Sequence, residues 1–339
     1  MVSSRIRITW IDWAKTLFIA LVCVGHFNIP ETQKVLIFGC HVPAFFIISG
    51  FLYHRHDALR TLFSFAVPML FYTAIVFGLH IAQDVIQNGY WDYRLDLGHL
   101  WHRVFEQFFF RNGNNPYGVI PITGVWFVVA LLVCRFLAGD IKLFSFVLRY
   151  RYISLLILII WLTIEPMIWD YISIKDYKFY YGLYAMPFFL FGNILRNINF
   201  RIESLNPIFI VIATINYLIV TLNYPRFNMV TYQYGPTYLL FFVNALCGCM
   251  VVFWLSSKLP KTHCVKVFSI GTLFILVLHT SLGYFVLPLL NRLGLMSIDV
   301  LKYNVMPWFE MILVLFALYY PISWLYKYYP ILLGKLSNK

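Results

Sequence analysis

The chain has 339 residues, of which 61% are hydrophobic, 20% aromatic and only 12% charged. That leaves too little polar surface for a soluble domain of this size, so an integral membrane protein is expected. The formal charge of +12 does not point to nucleic acid, because the lysines and arginines fall in short clusters between apolar runs rather than along one basic face.

About 20 apolar residues cross a bilayer as a helix. In chain order, spans are expected at 11–29, 35–53, 62–80, 122–138, 153–169, 180–195, 207–222, 238–255, 268–290 and 308–325. No long polar segment separates them, so 1–339 reads as a single all-α polytopic membrane domain of about ten helices. The first run carries a histidine and has no small-residue cleavage site, so it reads as a retained span rather than a signal peptide. An even number of spans puts both termini on one side. Of the 26 basic residues, 17 fall on that side and 9 on the other, which makes the termini cytoplasmic. The longest connection, 81–121, is then external. Its leucine and aromatic spacing suggests an interfacial helix ahead of an "NGNNPYG" turn, and a loop of this length suits a lid or a platform for an acceptor. Six cysteines without a C-x-x-C pair give neither a disulfide framework nor a metal site.

The first two runs hold ionisable residues that an apolar span does not need: Asp12, Lys15, His26 and His41. Lys15 and His26 are eleven residues apart, close to three helical turns, so both share one face with about 16 Å between them along the axis. Asp12 lies three residues before Lys15, on the same side, and is its nearest local ion-pair partner. His41 falls about as deep below the outer boundary of the second span as His26 does in the first, so the hairpin can bring the two imidazoles to one level. Helix rotation is left open. A lysine near a helix end can also snorkel to headgroups, and one intramembrane histidine can be a packing residue. Two at one depth, behind a lysine on the same face, favour function. A neutral imidazole in a dry site accepts a proton from an alcohol and passes it on, and that chemistry suits acyl transfer to a hydroxyl.

The run "RITWIDWAKTLFIALVCVGH" followed by "CHVPAFFIISGF" resembles the N-terminal signature of the acyltransferase-3 family of integral membrane acyltransferases. One mark is a basic residue separated by ten residues from a histidine, met by Lys15 and His26. The other is H-x-P-x-F-F-x-x-S-G, met by His41, Pro43, Phe45, Phe46, Ser49 and Gly50. Weaker echoes are "GVWFVVALL" from Gly124, "MPFFLFGNILR" from Met186 and "FSIGTLFILVLHTSL" from Phe268. The aliphatic "ILVL" before His279 departs from the family's aromatic at that point, and His279 is not carried over as catalytic. No hydrolase-like extension follows the last span, so the chain looks like the stand-alone form, similar to the polysaccharide and fucose O-acetylase branch.

The resemblance implies transfer of a short acyl group, usually acetyl, from cytoplasmic acyl-CoA to a hydroxyl of a cell-envelope polysaccharide or glycolipid, in a bacterial inner membrane. Acetyl-CoA is then a donor substrate, with no tightly bound cofactor and no metal. The partners expected are membrane lipids, the acyl-CoA, a glycan or lipid-linked sugar acceptor, and polysaccharide-biosynthesis proteins. His26 is expected as general base, or alternatively as an acylated nucleophile, and His41 as the group that orients it or stabilises the tetrahedral intermediate. Arg5, Arg7, Lys15 and Ser49 are expected on the donor side; Arg111, Trp126 and Glu165 on the acceptor side; Asp12, Pro43, Phe45, Phe46 and Gly50 in support. A transporter or flippase of a lipid-linked sugar is the competing reading, but it calls for ionisable groups through both leaflets and internal repeats. Here the groups concentrate in one hairpin, and no repeat of fixed period is found.

Overall fold

The computed structural model describes residues 7–54, 58–89, 124–140, 150–171, 177–224, 227–294 and 304–335. Its helices in chain order are α1 (Thr9–His26), α2 (Glu31–Phe38), α3 (His41–Phe51), α4 (Ala58–Asn88), α5 (Val125–Asp140) and α6 (Arg151–Tyr171). They continue with α7 (Tyr180–Asn197), α8 (Pro207–Asn223), α9 (Tyr238–Ser257), α10 (His263–Ile270), α11 (Thr272–Arg292) and α12 (Met306–Tyr328). Helix occupies all ten segments expected from the apolar pattern. Among the described residues, Glu31–Phe51, Ala58–Gln83, Tyr238–Ser257 and Met306–Tyr328 are long and apolar enough to cross a membrane. A fifth candidate is α10 with the first part of α11, a pair bent by 82°.

Three expected boundaries are redrawn. The second span begins at Glu31 rather than 35, and is broken at Gly39–Cys40 into α2 and α3. Tyr217 of α8 supplies the cause: its hydroxyl donates to the Leu36 carbonyl, which an unbroken helix would use for its own ladder. Gly39 admits that ring, since a Cβ there would lie 2.7 Å from the Tyr217 hydroxyl. The third helix continues to Asn88, so the connection expected to be external starts at 89 rather than 81. The ninth span turns sharply at Gly271, where a Cβ would lie 2.5 Å from Ile322 of α12. Only a glycine lets the two helices meet there.

α1 is the hub, packed by α2, α3, α9, α10, α11 and α12. Its buried side chains include Ala14, Phe18, Ile19, Val22 and Cys23. Among the described residues, α3 and α7 cross in direct backbone contact. A Cβ on Gly50 would overlap the Phe189 carbonyl oxygen, and one on Gly192 would overlap the Ile47 carbonyl oxygen. In lipid, apolar side chains gain little by leaving one oily phase for another, so backbones held together through small residues supply much of the packing. Gly50 therefore has a structural cause for its place in the signature.

Candidate active site

Four residues of α1, Lys15, Ile19, Val22 and His26, stand at intervals of four, three and four along one face and line a single cavity of about 380 Å³. At about 1.5 Å per residue this stripe spans roughly 16 Å of depth. The opposite wall comes from α3 (His41, Val42, Phe45, Ile48, Ser49) and α5 (Trp126, Phe127, Leu131, Arg135), with Thr272, Leu273 and Leu276 of α11 closing a third side. The middle of the cavity is apolar and its two ends are not.

One end is cationic. The Lys15 ammonium donates to the Ser269 carbonyl at the end of α10, where a helix leaves carbonyls unsatisfied and carries partial negative charge. Thr272 Oγ1 shares that carbonyl at 2.9 Å. Asp12 is not the partner of Lys15. Its carboxylate takes Arg7 at 2.5 and 2.7 Å and the Ser269 hydroxyl at 2.6 Å. Arg135, nine residues along α5 from Trp126, donates to Ser49 Oγ at 3.4 Å and lies over the Phe65 ring. Because Arg135 interacts electrostatically with Lys15, α5 runs antiparallel to α1, and Trp126 belongs to the His26 end.

The other end is lined by two imidazoles, His26 and His41, with a third, His279, packed against His26. His26 is the last residue of α1 and is exposed onto the cavity. Its ring lies 5.0 Å from the ring of His279, tilted by 51°. His279 is fully buried, with Nδ1 at 2.9 Å from the Leu276 carbonyl and 3.1 Å from that of Ile275. A carbonyl only accepts, so Nδ1 carries the proton and Nε2 is left as a bare acceptor. That Nε2 has no partner among the described residues. His41 is fixed in the same tautomer by the Ile37 carbonyl at 2.7 Å, with Phe38 stacked on it at 5.1 Å. Its ring faces the cavity within electrostatic reach of His26. His26 has no hydrogen-bond partner among the described residues, so both its nitrogens can serve substrate and neighbours.

Of the residues expected from sequence, the structure thus brings Lys15, His26, His41, Phe45, Ser49 and Trp126 to one cavity. Pro43, Phe46 and Gly50 are buried behind it, Phe46 against Phe127 at 5.1 Å. Arg7 lies outside the lining, paired with Asp12. Glu165 is also outside it: the carboxyl is buried on α6, accepts from the Tyr180 hydroxyl at 3.3 Å, and has its second oxygen unpartnered among the described residues. Arg5 and Arg111, with most of the 81–121 connection, fall outside the described residues. Sequence reasoning missed Arg135, which looked like one more positive-inside residue. It also set aside His279 on the strength of the residues before it, although an intramembrane histidine is itself a signal. Among the described residues no group of three or more His, Cys, Asp or Glu side chains gathers as a metal site would require.

A family model described as an acyltransferase domain, of the acyltransferase-3 type, matches residues 8–328. No curated protein and no solved structure matches the chain.

Proposed function

The chain belongs to the acyltransferase-3 family and is a membrane acyltransferase; beyond that, we propose that it carries an acetyl group from cytoplasmic acetyl-CoA to a hydroxyl of a cell-envelope polysaccharide or glycolipid, in a bacterial inner membrane. One observation carries this reading. A single cavity has cations at one end, an apolar waist and the imidazoles of His26 and His41 at the other, with Lys15, Ile19, Val22 and His26 along one face of α1 and His279 packed against His26 outside the lining. A carrier with phosphates, a flexible arm and a terminal thioester has that same order of chemistry.

In the proposed reaction the donor phosphates stay at the Lys15 and Arg135 end while the arm lies along Ile19 and Val22. The thioester carbonyl then reaches His26. The acceptor hydroxyl gives its proton to a His26 nitrogen as its oxygen bonds to the carbonyl carbon. The tetrahedral intermediate collapses with cleavage of the carbon–sulfur bond. The thiolate takes the proton back from His26, leaving an ester and a free thiol. His279 and His41 each present an acceptor nitrogen rather than a donor, which argues for orienting roles over oxyanion stabilisation. His279, nearest in ring contact, would hold the N–H of His26 and leave its other nitrogen basic. Trp126 offers an aromatic face at this end for a sugar ring.

The test is incubation of the purified protein, in membranes or nanodiscs, with acetyl-labelled acetyl-CoA and an envelope glycan preparation. Label entering the glycan, and failing to do so with His26→Ala at matched expression, is the expected result. Movement of a lipid-linked sugar without label transfer would overturn the reading.

A further inference from the structure

Beyond α12 the chain folds back on itself. A short 3-10 turn, Pro330–Leu333, is closed by the Gly334 and Lys335 amides donating to the Ile331 and Pro330 carbonyls, each at 3.0 Å. Gly334 has φ +72°, a left-handed conformation that a side chain would strain, and it redirects the chain toward the bundle. From α4, the Tyr72 hydroxyl donates to the Leu332 carbonyl at 2.6 Å. Leu333 is 5% exposed, and both Leu333 and Lys335 line the cavity that holds Lys15 and His26. A lysine that merely snorkelled to headgroups would turn away from the interior. This one turns toward it.

The charges at this end do not balance. Lys335 interacts electrostatically with Lys15, Arg7, Arg135 and Asp12. The carboxylate among them, Asp12, is already occupied by Arg7 and Ser269. Among the described residues no carboxylate pairs with Lys15, Arg135 or Lys335. Three like charges drawn from α1, α5 and the 330–335 segment therefore converge on one cavity end. Their mutual repulsion is relieved when an anion with several oxygens enters between them.

We propose that residues 330–335 form a wall of the donor site, and that Lys335 binds, together with Lys15 and Arg135, a phosphate or diphosphate of a nucleotide-bearing acyl carrier. The identity of that carrier rests on the donor reading given above; the anion site does not. A lipid headgroup shares the phosphate chemistry. The apolar waist leading from this end to His26 favours a carrier whose reactive end lies deeper than its phosphates.

The experiment is calorimetric titration of the full chain in phosphatidylcholine nanodiscs with CoA and, separately, with inorganic pyrophosphate, which has neither an adenine nor a thiol arm. Wild type is compared with Lys335→Ala, Lys335→Glu and Lys335→Arg, each checked for an unchanged melting temperature. CoA binding about tenfold weaker in Lys335→Ala, weaker still in Lys335→Glu and near wild type in Lys335→Arg is the expected result, on the scale of one charge-assisted contact. CoA affinity unchanged in Lys335→Ala overturns the proposal while leaving the donor reading intact. Pyrophosphate binding that depends on Lys335, with CoA bound no more tightly and without competition, supports the anion site and removes acyl-CoA as its ligand. No binding of either probe overturns both. A Lys335 effect seen only as a change in phosphatidylglycerol binding also overturns the proposal, in favour of a headgroup.

Discussion

The imidazoles of His26 and His279 lie 5.0 Å apart, ring centre to ring centre, although one ends α1 and the other stands midway along α11. Because the Nδ1 proton of His279 is held by backbone carbonyls, only its acceptor nitrogen remains for His26. His26 faces the cavity and His279 does not. The first is therefore open to whatever enters the cavity, and the second meets it only through the first.

Replacement of His26 by alanine is expected to lower kcat by a factor on the order of 10²–10⁴, the range for loss of a general base. His279→Ala should cost less, move the pH dependence of kcat, and add little in the double variant, since it acts through His26. Steady-state acetyl transfer across a pH series checks this. Additive losses in the double variant would show that His279 acts by itself.

For His41 the expected signature is different. Its acceptor nitrogen opens to the cavity, and His41→Ala should reduce transfer while donor binding, measured by CoA titration, stays close to wild type. His41→Asn, which can keep the bond to the Ile37 carbonyl, should recover a fraction of the activity. Normal transfer by His41→Ala at matched expression would remove the residue from the reaction.

The backbone contact of α3 with α7 is expected to be intolerant of any side chain. Gly50→Ala and Gly192→Ala each drive a methyl group into a facing carbonyl, and overpacking of this kind costs about 1–3 kcal/mol or more. Both variants should melt lower in detergent and give less folded protein. Gly78→Ala, with open space around the glycine, should not. A melting temperature unchanged in Gly50→Ala would mean that the helices can separate freely at this crossing.

Donor binding should weaken with rising pH earlier than an ordinary lysine would dictate. Desolvation, and then the Arg7 and Arg135 guanidiniums, hold the Lys335 ammonium below the usual lysine range, with Asp12 opposing them. Lys15 faces the same cavity end from α1. A lysine lowered in this way loses its proton on folding more readily than when unfolded, so stability rises as pH climbs through the lowered value. Affinity for an anion moves the other way, because it needs the ammonium. CoA affinity in the wild type is expected to fall as pH rises toward the ordinary lysine value of about 10.4. The fall should be shallower in Lys335→Arg, whose guanidinium stays charged. Titrations across pH compare the two slopes, and equal slopes would exclude Lys335 from the site.

Much of this protein can be read along the chain. Each of the ten apolar runs holds helix among the described residues, because a helix in lipid must satisfy its own backbone and so needs a continuous apolar segment. The shared face of Lys15 and His26 follows from helical periodicity alone. The family signature, too, lies in a short stretch of neighbouring residues. All of these depend on spacing within one or two helices, which the sequence states directly.

What lies across the bundle is decided only by the fold. Asp12 leaves its neighbour Lys15 for Arg7 and Ser269 because α10 brings a hydroxyl and a carbonyl to that spot. The second span breaks because Tyr217 reaches Leu36 from a helix far along the chain. His279 comes against His26, and Lys335 joins the cavity, because Gly271 bends one pair of helices and Gly334 turns back the residues after α12. Composition and periodicity determined a membrane helix bundle with a lysine and a histidine on one face of its first helix and a second histidine in the next span. Tertiary packing decided their partners, because the rotation and register of each helix follow from close contacts between side chains and backbones that no single segment contains.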